Sequence, residues 1–334
     1  MFRTAFLLSL PLALALSPMT GAQAEPADGR PKQMLIVSFD GVADNRLWVK
    51  SRDIARRSNA HFTYFLSCAH LIPRADARTY QAPGQKPGRS NVGFAPDQQD
   101  VAVRLDQIWQ AHLEGHEIGN HTCGHFDGRD WSKADWLEEF KNFDRVVENA
   151  WTANGVGDKE PQGWADFVRR DIRGMRAPYL SETPDLVEAE KAAGFAYDAS
   201  PVARGPQYPE EDGRLARFGL PLIPEGPNQR RIVGMDYNLF VRHSAGLDHP
   251  SRSAEFEERA YQAFRAAFDT QYDGERLPLQ LGFHFVEMNG GAYWRAMERL
   301  VTEVCPRPDV ACVTYSQALE MSRDRQAVAR ASGL

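Results

Sequence analysis

The sequence predicts an α/β protein built around a mainly parallel sheet, and two observations predict it. Short apolar runs alternate with amphipathic helical stretches through most of the chain, the pattern of successive βα units. Polar residues of catalytic type follow four of those runs, and the carboxyl ends of parallel strands are where α/β proteins build their sites. With 334 residues, 43% hydrophobic and 25% charged, the composition permits a well-filled core and excludes disordered, collagen-like and coiled-coil classes. One large domain or two smaller ones fit this length equally.

At the start, Arg3 precedes an apolar run over 5–16, followed by Pro18, Gly21 and Ala22-Gln23-Ala24. That is a secretory signal with an A-x-A cleavage site, and its apolar run is shorter than the roughly 20 residues that span a bilayer. The expectation is export, periplasmic or secreted, with 1–24 removed, 25–33 as a linker, one catalytic domain over 34–320 and a fraying polar tail over 321–334. No later segment reads as a membrane span.

Strands are expected at 34–39, 61–67, 117–121, 174–178, 195–200, 232–236, 279–285 and 312–316. Leu222-Ile223 is apolar too, but Pro221 and Pro224 bracket it and make it at best an edge strand. Between strands, Val101, Leu105, Ile108 and Trp109 recur at helical spacing before Gly115, as do Leu137, Phe140, Val147 and Trp151 before Gly155. Thr183, Pro184 and Gly194 supply the N-cap, first position and C-terminal stop of a third helix. Phe256, Ala260, Phe264 and Phe268 mark a fourth, and Trp294, Met297, Val301 and Val304 a fifth. Two Pro- and Gly-rich insertions, 73–96 and 205–226, interrupt the rhythm, and the first reads as a binding loop.

The formal charge of -6 and the lack of a dense Lys/Arg cluster argue against nucleic acid as a partner. Four cysteines in an exported chain suggest disulfides. Cys305 and Cys312 enclose a short, turn-rich loop and are expected to pair, leaving Cys68 and Cys123 as the second pair; four buried thiols are the alternative.

The most informative stretch is Gly115 to His125, in which His121 and His125 are spaced to share one metal ion. His121 falls where a strand ends. Three more strand ends carry Asp40, Arg176 with Tyr179, and His284, and four such coincidences on one predicted face favour a hydrolytic metal site.

These residues resemble the ordered motifs of the NodB-homology polysaccharide deacetylases, carbohydrate esterase family 4, over about 34–319. Ser38-Phe39-Asp40 is similar to the first motif, His121-Thr122-Cys123-Gly124-His125 to the second, Arg176-Ala177-Pro178-Tyr179 to the third and Leu281-Gly282-Phe283-His284 to a loose fifth. For the fourth, Val233-Gly234-Met235-Asp236 fits best by order, with Asp198 as rival. The resemblance implies a distorted (β/α) barrel that removes acetyl groups from an N- or O-acetylated polysaccharide or oligosaccharide with a zinc-like divalent ion on His121 and His125. It implies Asp40 as general base, His284 as general acid, Arg176 orienting Asp40, the backbone N–H of Tyr179 at the oxyanion and Asp236 orienting His284.

One departure stands out. The family's first motif ends in two aspartates, the second a metal ligand, and this chain has Gly41 there. Asp44 is the candidate replacement, with Asp40 itself or water as alternatives. A carbohydrate-binding relative that has lost the metal is the competing function, and a metal-dependent amidase for a small molecule a third. Elsewhere His116 reads as a packing residue, Asp127, Asp130 and Trp131 as a sugar subsite or a helix entry capped by Ser132, and His243 and His249 as surface residues.

Overall fold

In the computed structural model the described residues are 29–331; the expected signal segment lies outside them. The strands are β1 (Gln33–Gly41), β2 (Thr63–Leu66), β3 (Glu117–Asn120), β4 (Gly174–Met175), β5 (Tyr197–Asp198), β6 (Val202–Ala203), β7 (Glu210–Asp212), β8 (Leu215–Arg217), β9 (Leu220–Glu225), β10 (Arg230–Val233), β11 (Leu279–His284) and β12 (Val310–Cys312). The helices are α1 (Asn45–Ser58), α2 (Gln98–Leu113), α3 (Lys133–Glu148), α4 (Ala150–Ala153), α5 (Trp164–Arg170), α6 (Pro184–Ala193), α7 (Asp236–Ser244), α8 (Ser253–Asp273), α9 (Met288–Val304) and α10 (Tyr315–Ala331).

Helices cover β1 and β2, whose residues are buried at almost every position, as parallel strands covered on both faces must be. The sheet runs β11-β1-β2-β3-β4-β5-β8-β7, with β12 also beside β1. Every pairing from β11 to β8 is parallel, and only β7 runs against its neighbour. A second sheet of β10, β9 and β6 reaches β11 through the bridge between Met235 and Gly282. The result is a curled half-barrel in a mixed α/β protein, the fold class the sequence indicates. Around the end of β1, the Phe39 ring packs on those of Phe62, Tyr64, Phe283, Phe285 and Trp294 at centroid distances of 4.9 to 5.9 Å. This packing holds the strand end that carries Asp40.

Capping follows local chemistry. Ser132 and Asp135 form a reciprocal capping box on α3, and Thr183, Pro184 and Gly194 delimit α6. Disulfides join Cys305 to Cys312 and Cys68 to Cys123.

Several expectations are corrected. β9 is the middle strand of its sheet, because β6 pairs only with Leu220 and Pro221 while β10 pairs with 222–225; no proline has to serve two neighbours at once. The strand expected at 312–316 stops at Cys312, since the Thr314 hydroxyl accepts from Gln317 N at 3.2 Å and starts α10. That helix continues to Ala331 instead of fraying from 321, docked by the Arg323 and Glu211 ion pair and by buried Ser322. The strand expected at 232–236 ends at Val233, and Asp236 opens α7. His243 is not a surface residue: it is buried against Phe256, with Nε2 3.1 Å from Glu225.

Candidate active site

Because β1, β2, β3, β4 and β11 are parallel, their carboxyl ends meet at one edge of the sheet. Asp40 and His284 are register partners there, and His121 and Arg176 directly follow β3 and β4. Asp40, His121 and His284, with His70, His125, Tyr179, Tyr237, Asn238 and others, line a cavity of about 670 Å³, and Arg176 lies fully buried behind Asp40.

The loop carrying the two histidines is held from every side. Asn120 Oδ1 accepts from Thr122 N at 2.7 Å, and Glu139 Oε1 accepts from Cys123 N at 2.9 Å. The Tyr80 hydroxyl accepts from Gly124 N at 3.0 Å. Any side chain at Gly124 would bring its Cβ to 2.6 Å from Phe126 and 2.7 Å from Tyr80, so only glycine fits. Thr122 and His125 take positive φ of 58° and 55°, strain that this network sustains.

His121 donates its Nδ1–H to the Arg176 carbonyl at 2.7 Å. That bond sets the tautomer and leaves Nε2 as an acceptor, and Nε2 is buried without a hydrogen-bond partner. The His125 ring lies 4.9 Å from that of His121 and 5.0 Å from that of Tyr179. Burial above all keeps both histidines neutral, His121 below its ordinary pKa and His125 at about 3, where His121 adds to the effect. Two neutral imidazoles, one with an orphaned nitrogen and a carbonyl fixing its other face, fit a divalent metal. Among the described residues no three His, Cys, Asp or Glu side chains converge on one such point as placed.

Asp40 is buried and accepts from Arg176 Nη1 at 2.8 Å. Burial alone raises its pKa, but Arg176, His121 and His284 together bring it below the usual value. Arg176 is fully buried and spends its donors on Ser38, Asp40, the Ala199 carbonyl and the Tyr315 hydroxyl, with its guanidinium 4.4 Å over the Phe65 ring. Such a fork has no freedom to turn away. Asp236 grips His284 twice, Oδ1 to Nδ1 at 2.7 Å and Oδ2 to the backbone N at 2.8 Å. Burial opposes the imidazolium, yet the Asp236 charge and hydrogen bond, with Asp40 behind them, raise the His284 pKa. Asp198, the rival for that role, instead accepts from Ser200 N and faces Arg217. Tyr179 sits at φ 58°, and among the described residues its N–H finds no backbone acceptor.

Asp44 is not brought to the pair. Gly41 and Val42 reverse the chain at φ 88° and 53°, fastened by the Trp48 indole N–H on the Val42 carbonyl at 3.0 Å. Asp44 then N-caps α1, accepting from Arg46 N at 2.8 Å and Arg46 Nη2 at 2.6 Å, and it does not line the cavity.

The insertion 73–96 does reach the site. Asn91 donates to the Gly124 carbonyl at 2.8 Å and to that of His125 at 3.1 Å, and Val92 lines the cavity. Exposed Tyr179 and Tyr237 stand at its mouth. Asp127 binds the Ser181 hydroxyl, Trp131 packs on Trp136, and the His116 ring accepts from Phe62 N at 3.0 Å. Sequence reasoning missed His70, Glu139, Tyr237 and Tyr315; none belongs to a motif, although Tyr315 and Glu139 stand at helical spacing among apolar neighbours.

No family model matches the chain, and no curated protein does. Solved structures are similar to it. A Mycobacterium smegmatis protein provisionally described as a polysaccharide deacetylase superposes with a TM-score of 0.50 at 17% identity, over 93% of this chain and 96% of that one. A mutant peptidoglycan deacetylase from Bacillus subtilis gives 0.47 at 11% identity, over 90% and 97%. A CE4-family pseudoenzyme from Bacillus anthracis gives 0.44 at 10%, over 86% and 66%. The fold is therefore that of the NodB-type polysaccharide deacetylases.

Proposed function

We propose that this chain is an exported, metal-dependent hydrolase that removes acetyl groups from an N- or O-acetylated polysaccharide. The observation that carries the reading is the meeting, at one sheet edge, of an Arg-held carboxylate, an Asp-braced histidine and a histidine pair with a buried, unpartnered Nε2.

His121 and His125 would hold the ion, and a zinc-like ion there supplies Lewis acidity toward the acetyl carbonyl and the attacking water. Asp40, kept ionised and aimed by Arg176, takes the proton from that water as its oxygen adds to the carbonyl carbon. The Tyr179 N–H donates to the oxygen that becomes negative. His284, held as imidazolium by Asp236, protonates the leaving amine or alkoxide as the carbon–heteroatom bond breaks. Acetate and a free amino or hydroxyl group result. The exposed rings of Tyr179 and Tyr237 offer sugar-stacking surface at an open mouth, which favours a polymer over a small-molecule amide.

The test is elemental analysis of the purified chain beside acetate release from a panel of acetylated glycans. Asp40→Asn is expected to keep the metal and lower acetate release by about 10²-fold or more; a fully active variant removes Asp40 from the mechanism. Gly41, where the family has a carboxylate, favours the second reading, a carbohydrate-binding relative without activity. Glycan binding without acetate release from any substrate supports that reading.

A further inference from the structure

We infer that the insertion 73–96 is a cationic wall of the substrate cleft, and that the polysaccharide this chain takes is acidic, with carboxylates near the acetyl group to be removed. The inference rests on the proposed deacetylase reading and names its substrate class. The segment carries Arg74, Arg78, Lys86 and Arg89 against one acid, Asp76, in a chain whose formal charge is -6. All four cations are exposed, and none has an ion-pair partner among the described residues. On neighbouring loops Glu287 pairs with Lys50, and Asp127 with Arg129. The insertion leaves its positive charge uncompensated.

These cations stand on a fixed frame. The ends of the segment are joined by Arg74 N on the Ala95 carbonyl at 2.8 Å and Ala95 N on the Ile72 carbonyl at 3.0 Å, and its middle by Gly88 N on the Tyr80 carbonyl at 2.8 Å. The Tyr80 hydroxyl and Asn91 N then fasten both limbs to Gly124, in the histidine loop. Across the frame the Arg78 stem runs over Gly88, where a Cβ would lie 3.4 Å from Arg78 Cγ. Arg78 and Arg89 are thus neighbours without a counter-ion, an arrangement that an incoming anion relieves.

The frame also sets the reach. Arg89 is two residues from Asn91, at most about 7 Å of chain, and Asn91 Nδ2 lies 3.1 Å from the His125 carbonyl and 3.5 Å from the Tyr179 hydroxyl. A guanidinium on that stem reaches a sugar next to the one seated at His125. Arginine supplies three of the four charges, and its planar fork takes a carboxylate through two parallel N–H donors. Four charges on one loop of an acidic chain suit the spaced carboxylates of a glycan better than the dense phosphates of nucleic acid.

Calorimetry on the full chain measures the affinity for three oligosaccharides of equal length: a neutral chito-oligosaccharide, the same oligomer carboxymethylated, and an oligogalacturonate. At low salt at least one acidic oligomer is expected to bind about tenfold more tightly than the neutral one, and high salt should erase the difference. The tighter of the two tells whether the carboxylate belongs on a substituent or on the sugar ring. Arg78→Gln with Arg89→Gln should bring the acidic oligomer's affinity down to the neutral one's; both side chains are exposed, and thermal unfolding checks that the fold is kept. Equal affinity for all three oligomers, or a folded double variant that still prefers the acidic one, overturns the inference. So does inorganic phosphate that displaces the acidic oligomer at equal anion concentration, or single-stranded DNA that binds more tightly than either acid. Acetate release from acetylated glycans with no preference for acidic ones overturns this inference and leaves the deacetylase reading standing. Charge-dependent binding of the acidic oligomer without acetate release from any substrate supports the cationic wall and removes the hydrolase.

Discussion

At His284 two opposed effects act on one imidazole: burial favours the neutral ring, and Asp236 favours the cation and prevails. The donor form therefore persists above the ordinary pKa of 6.5 and is lost as pH rises through the raised value. Asp236→Asn is expected to move the alkaline limb of the pH–activity profile to lower pH and to reduce turnover by about 10²-fold. An unmoved limb removes His284 as the proton donor. At Asp44 the expectation from sequence reverses. Asp44→Ala should cost about 1 kcal/mol in a denaturant titration through its lost cap and leave zinc affinity unchanged. Gly41→Asp should not restore a ligand, because φ 88° strains any side chain there by about 1–3 kcal/mol. Asp40, His121, His125, Arg176, Asp236 and His284 were legible because each is a reactive type at a strand end or in an ordered motif. His70, which lines the same cavity, was not, since one histidine in a turn has no spacing to betray it.

At the scale of elements, the face of α6 turned to β5 buries Glu190 beside Asp198. Neither Glu190 oxygen nor Asp198 Oδ2 has a hydrogen-bond partner. Burial first, and then the Asp198 charge, push the Glu190 pKa well above its ordinary 4.5. The folded state thus keeps a proton that the unfolded chain releases, so stability falls as pH rises above 4.5 toward the raised value. Glu190→Gln, whose amide can donate to Asp198 Oδ2, is expected to stabilise the protein at pH 7 by about 1–3 kcal/mol. That advantage should vanish below pH 4.5 in parallel unfolding titrations, and a gain independent of pH excludes the cause. Most strands of the main sheet were legible because burial on both faces demands continuous apolar runs, but β7 and β8 were not, since they lie in the Pro- and Gly-rich insertion 205–226 and β7 is largely exposed. β9 was underrated because proline is forbidden only where both flanks are paired, and pairing partners are not written in the strand itself. α1 was missed because its sequence, NRLWVKSRDIARRS, is largely polar.

Across the whole molecule, the two disulfides lie at opposite edges of one sheet and divide its work. Cys312 ends β12, which pairs with the first residues of β1, so its bridge to Cys305 fastens the edge away from the site. The Cys68 bridge fastens the edge where the histidines stand. Both suit an oxidising compartment, in keeping with the proposed export. The separations differ, 7 residues against 55. Loop-closure entropy makes the short bridge worth about 2.5 kcal/mol and the long one about 4 kcal/mol. Replacing Cys305 and Cys312 together by serine should therefore lower stability by the smaller amount and leave zinc affinity as it was. Replacing Cys68 and Cys123 should cost more and also weaken zinc, because Cys123 sits between His121 and His125 in the loop that the bridge positions. Stability and metal affinity measured on both double variants separate the two roles. Equal loss of zinc in the two would mean that the bridges act only through global stability, and that hydrogen bonds to Glu139 and Tyr80 alone hold the histidine loop in place.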